Sequence, residues 1–123
     1  MNLITLTIKC IVIVLSVTTT AIPAAELLVI EQDDCPYCKK FNFEIAQAYP
    51  NTAEGTCAPL RRIDLHEPWP MEYEHIQAEQ FTPTFILIND GEEIDRLIGY
   101  PGDEYFWFLL GEMLQKLPPE KAC

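Results

Sequence analysis

The chain has 123 residues, enough for one domain, and 49% of them are hydrophobic. Its 19 acidic against 8 basic residues give a formal net charge of −11. A surface so acidic repels nucleic acid and anionic membranes, which recruit positive charge, so its plainest use is to keep a small protein soluble.

The first segment reads as a secretory signal peptide, residues 1–24. Lys9 follows a mostly apolar start, Ile11-Val12-Ile13-Val14-Leu15 makes a short hydrophobic core, and Pro23-Ala24-Ala25 supplies small residues for cleavage. Threonines at 18, 19 and 20 close the apolar run well short of the ~20 residues that span a bilayer. An uncleaved N-terminal anchor is the alternative. The expected product is an exported, periplasmic domain of residues 25–123. Losing Lys9, the only charged residue before position 25, leaves seven basic against 19 acidic residues, a balance of −12. Four of the five cysteines remain (Cys35, Cys38, Cys57 and Cys123), in a compartment where disulfides persist.

Glu26 to Glu31 is short, continuous and rich in Leu, Val and Ile, the pattern of a buried strand. Gln32-Asp33-Asp34 turns the chain into Cys35-Pro36-Tyr37-Cys38. Pro36 suits a first helical turn, where its missing NH costs nothing. Lys39 to Tyr49 reads as the helix, with Phe41, Ile45, Ala48 and Tyr49 on one face. Pro50-Asn51 and Glu54-Gly55-Thr56 form a loop, and Leu60 to Leu65 a second strand. After the break at Glu67-Pro68-Trp69-Pro70, Met71 to Gln80 reads as an exposed helix. Thr84 to Ile88 is the clearest strand, and Asn89-Asp90-Gly91 signals a hairpin into Glu93 to Ile98. After Gly99-Tyr100-Pro101-Gly102, Asp103 is the expected cap of a last helix with a stripe of Phe106, Leu109, Leu110, Met113, Leu114 and Leu117. The expected architecture is α/β, β-α-β-α-β-β-α, with a central mixed sheet.

Cys35-Pro36-Tyr37-Cys38 carries the chemistry. Two thiols three positions apart at a helix start cycle between dithiol and disulfide, and the unpaired NH groups there favour a thiolate at Cys35. A free thiol with pKa ~8.5 is only a few per cent ionised at pH 7, whereas such motifs bring it into the ~3.5–7.5 range. Cys35 is therefore the expected nucleophile and Cys38, one turn inside the helix, the resolving thiol. Asp33 and Asp34 oppose ionisation unless they point into solvent. Lys39 reads first as a solvated cation, and second as a partner for the thiolate. His66 and His75 lie outside the motif and receive no catalytic role. No His or Met adjoins the pair, so neither a metal site nor a cofactor beyond the Cys35–Cys38 disulfide is expected.

With this element order, the motif after the first strand, and Thr82-Pro83 immediately before the third, the chain resembles the thioredoxin-fold thiol-disulfide oxidoreductases. The resemblance implies a thioredoxin-like fold with a cis-proline at Pro83 facing the cysteines, and a substrate-binding wall of Pro36, Tyr37, Thr82 and Pro83. Cys-Pro-Tyr-Cys-Lys is similar to glutaredoxins, which implies a glutathione contact at Lys39, Gly102 and Asp103. Against that, Phe81-Thr82-Pro83 replaces their Thr-Val-Pro. Thioredoxins carry a buried aspartate where this chain has Val29, and a tryptophan where it has Asp34. In length and motif order the chain is most similar to the SoxS family of periplasmic thioredoxins of bacterial sulfur-oxidation systems. That similarity implies a reductant of a mixed disulfide on a partner protein, the sulfur carrier SoxYZ. A monomer is expected, and in an oxidising compartment the pair needs its own electron supply, expected to be a membrane electron donor. An oxidase or isomerase, a glutathione-linked enzyme, and a metal-binding module on the same fold remain the alternatives. In this topology Cys57 and Cys123 fall at the end away from the motif. They are expected as a structural disulfide, or else as two inert or surface thiols.

Overall fold

The computed structural model describes residues 25–123, together with the single position Ser16, so the signal peptide expected over residues 1–24 lies, apart from Ser16, outside the described residues. Four strands form one mixed sheet in the order β2-β1-β3-β4: β1 Ala25–Glu31, β2 Leu60–Asp64, β3 Thr84–Asn89 and β4 Glu92–Ile98. β1 pairs parallel with β2 and antiparallel with β3, and β3 pairs antiparallel with β4.

The two central strands are apolar on both faces because both faces are covered. Leu27 and Val29 of β1, with Phe85 and Leu87 of β3, enter one core layer. Their alternating neighbours Leu28, Ile30, Ile86 and Ile88 enter the other. The hairpin between β3 and β4 turns on Asp90 and Gly91, both at positive φ (50° and 80°). That is the two-residue connection the Asn-Asp-Gly sequence announces.

On the first face lie α1 (Pro36–Phe41) and α3 (Asp103–Leu114), locked by an aromatic cluster. Phe41 sits edge-on to Phe85 at 4.8 Å between centroids, with Phe106 at 5.4 Å and Tyr100 at 5.7 Å. Past α1 the chain widens into a π-helical stretch, Asn42–Ala46. The buried Phe41, Ile45 and Tyr49, which stand before, within and after it, recur every four residues, a spacing longer than the ~3.6-residue α-helical turn. A wider turn keeps them on one face. Ala48, expected on that face, is exposed.

Three local expectations are corrected. The loop at Glu54-Gly55-Thr56 is a short helix, α2 (Ala53–Cys57), because the Thr52 hydroxyl accepts from the Gly55 NH at 2.9 Å and caps it. The helix expected over Met71 to Gln80 is a single 3₁₀ turn, Met71–Tyr73. Tyr73 hydrogen-bonds to Glu26 and His75 lies 2.9 Å from the Gly91 carbonyl, so the segment is tied to separate elements instead of coiling on itself. It buries Tyr73 and Ile76 on the second face. Finally, α3 is entered through Gly102 at φ 101°, a conformation an aspartate resists, so Gly102 and not Asp103 holds the cap position.

Candidate active site

The carboxyl ends of β1 and β2 and the start of β3 converge at one edge of the sheet, since Glu31 pairs with Asp64 and Ile30 with Thr84. Everything that surrounds Cys35 comes from the segments leaving those ends. Asp34, at φ 58°, turns the chain so that Cys35 becomes the cap of α1 and Pro36 its first residue. Cys35 and Cys38 are disulfide-bonded, with Cα atoms 5.2 Å apart. Both are buried, Cys35 at 7% and Cys38 at 4% exposure.

Cys35 Sγ accepts from the Cys38 backbone NH at 3.1 Å and from the Thr82 hydroxyl at 3.2 Å. It also lies 3.4 Å from the Thr82 carbonyl oxygen. Thr82–Pro83 is cis. Once Cys35 is a thiolate, the NH and the hydroxyl become charge-assisted donors, the stronger kind. Asp33 and Asp34 are exposed and stand in solvent, which screens their opposition to ionisation.

Beside the pair opens a pocket of about 250 Å³, whose lining includes Gln32, Asp33, Asp34, Lys39, Asn42 and Asp64. Asn42 was not singled out in the sequence, yet its Oδ1 is buried here without a hydrogen-bond partner among the described residues. Gly102 and Asp103 do not line this pocket, so the structure does not group them with Lys39. The wall beyond Cys35 carries two exposed aromatics, Tyr37 at 61% and Phe81 at 69%. Phe81 was missed because a lone aromatic before a loop proline has no periodicity to mark it.

Two more residues join the site. Gln32 Nε2 donates to the Thr82 hydroxyl oxygen at 2.8 Å, and His66 Nε2 lies 2.9 Å from Gln32 Oε1. His66, given no role in sequence, is thus two side chains away from Thr82's sulfur contact. No spacing rule connects positions 32, 66 and 82; the sheet edge does.

Residues 24–114 match the family described as a thioredoxin-like domain. The chain belongs to the thioredoxin-like family. Among solved structures it is similar to the periplasmic thioredoxin SoxS from Paracoccus pantotrophus, in its reduced form. The two are 40% identical with a TM-score of 0.71, over 75% of this chain and 97% of that one. It also shares the fold of a Malassezia sympodialis thioredoxin, at 16% identity and TM-score 0.59, over 74% and 76% of the two chains. No curated protein matches it. With a C-x-x-C disulfide on this fold, the protein is a thiol-disulfide oxidoreductase.

The other two cysteines among the described residues lie elsewhere. Cys57, the last residue of α2, is disulfide-bonded to Cys123, the two Cα atoms 5.6 Å apart. This bridge borders an open groove of about 820 Å³ between α2, α3 and the tail that follows Pro119–Lys121.

Proposed function

We propose that the protein acts in the periplasm as a reductant of a mixed disulfide on a partner protein, the sulfur carrier SoxYZ being the specific candidate. The supporting observation is Cys35 itself, buried yet facing two hydrogen-bond donors and flanked by Tyr37 and Phe81. The 40% identity to a periplasmic SoxS supports the compartment, and the partner is suggested by the resemblance of the sequence to that family.

In the reduced protein the Cys35 thiolate attacks a sulfur of the partner's disulfide. The partner's S–S bond breaks, one thiolate leaves, and a Cys35–partner disulfide forms. The Cys38 thiol loses its proton to solvent, attacks Cys35 Sγ and expels the partner's thiolate, which leaves Cys35–Cys38 oxidised. Two electrons have passed to the partner. A membrane electron donor then restores the dithiol. Pro36, Tyr37, Thr82 and Pro83 form the surface on which the partner rests, and glutathione as the disulfide's second half fits the same chemistry.

Cys38→Ser removes the resolving step, so the partner accumulates as a stable disulfide adduct on Cys35. Capture of the SoxYZ carrier cysteine is the expected result. Adducts carried by Cys38 in a Cys35→Ser protein reverse the assignment of roles, and a reduction potential near ~−120 mV instead of ~−270 mV reverses the direction of electron flow.

A further inference from the structure

The hydroxyl of Thr82 has one proton and two places to put it. Cys35 Sγ is 3.2 Å away, and Gln32's amide is 2.8 Å away on the other side. If the amide presents its NH₂ to Thr82, the hydroxyl oxygen accepts there and its proton is free for the sulfur. If the amide is turned over, its carbonyl takes the proton and the sulfur loses its donor. Gln32 therefore selects whether Thr82 serves Cys35.

His66 decides which way Gln32 stands. Its Nε2 faces Gln32 Oε1 at 2.9 Å, and a carbonyl oxygen can only accept. This orientation of the amide requires a proton on Nε2, which the Nε2–H tautomer and the imidazolium both supply. The backbone that carries the exposed ring is held in the turn after β2, where the His66 NH donates to Asp64 Oδ1 at 2.8 Å. The direction of donation runs from His66 to Gln32, from Gln32 to Thr82, and from Thr82 to Cys35.

We infer that His66 and Gln32 are positioning residues for the thiol chemistry, holding the Thr82 hydroxyl as a donor to the Cys35 thiolate. Neither touches the sulfur. The contact matters little to a neutral disulfide sulfur and much to an anion, so it favours the thiolate in the reduced protein, where attack begins. The inference rests on Cys35 being the reacting thiol and not on who the partner is.

The test is the pH dependence of iodoacetamide alkylation at Cys35 in the reduced full-length protein, read by peptide mass. His66→Ala frees the amide to turn, and lowers the thiolate fraction below the midpoint about threefold. Gln32→Glu offers only acceptors and lowers it about tenfold, a shift of about one pH unit. Because the glutamate also adds charge, both changes are repeated in Thr82→Val. The other charged groups at the site (Glu31, Asp33, Asp34, Lys39 and Asp64) are the same in every variant.

With no hydroxyl to redirect, the His66 effect vanishes in Thr82→Val and the Gln32 effect shrinks to its charge alone. His66→Gln, which keeps a donor NH, restores the wild-type midpoint. Equal shifts with and without the Thr82 hydroxyl, or no shift in either variant while wild-type exchange is intact, overturn the proposal alone. A wild-type Cys35 that exchanges with no disulfide overturns the assignment of Cys35 and the proposal with it.

Discussion

Replacing Cys57 and Cys123 by alanine removes a cross-link at the far end of the molecule from the redox pair. The two residues are 66 apart in sequence, and the segment between them contains β2, β3, β4 and α3. Closing a loop of that length removes unfolded-chain entropy of about 15 cal/mol/K, or about 4 kcal/mol at 25 °C. The figure is an upper bound, because it assumes an unfolded chain without residual structure. For a domain of this size about 4 kcal/mol corresponds to a fall in midpoint temperature of about 15 °C or more. The assay is thermal and urea unfolding of the oxidised double variant against the oxidised parent, with Cys35–Cys38 intact in both. Peptide mapping without reductant checks that the parent contains a Cys57–Cys123 peptide. A loss below about 1 kcal/mol, or a parent with both thiols free, refutes the reasoning.

Gly55→Ala places a methyl 1.9 Å from the Tyr49 carbonyl oxygen, where backbone has to move. A loss of about 3 kcal/mol is expected in urea unfolding, and a change under about 0.5 kcal/mol refutes the packing described. Phe81→Ser removes an exposed aromatic beside Thr82, and should reduce kcat/KM about tenfold toward a protein disulfide but less toward a small one. Equal loss on both substrates places Phe81 in the chemistry instead of the docking surface.

Three tyrosines make the protein sensitive to alkali. Burial, then the hydrogen bond to Glu26, pushes Tyr73 from 10.0 up to about 12. Burial also raises Tyr49 and Tyr100, with the Glu54 charge and the Glu44 hydrogen bond adding to it. Since the folded state holds the neutral phenol, this stability is complete below the unfolded pKa of 10.0 and is lost as pH rises through about 12. Urea midpoints flat to pH 12 contradict it.

The chemistry and the sheet are legible in the order of residues alone. Cys35-Pro36-Tyr37-Cys38 is a local motif, and β1 and β3 announce burial through unbroken apolar runs that no surface strand tolerates. Asp90-Gly91 fixed the hairpin for a similar local reason, the positive φ that both residues adopt. What required the tertiary structure was everything set by side chains reaching between elements. Tyr73 and His75 hold the 71–80 segment away from a helix through contacts with Glu26 and Gly91, partners far away in sequence. Thr52 and Gly55 make a helix where composition suggested a loop. Above all, Gln32, His66 and Thr82 meet only because three chain segments end at one edge of the sheet. Hydrogen bonds between distant residues leave no periodicity in a sequence, so a histidine set aside there stands, in the fold, in the network that reaches Cys35.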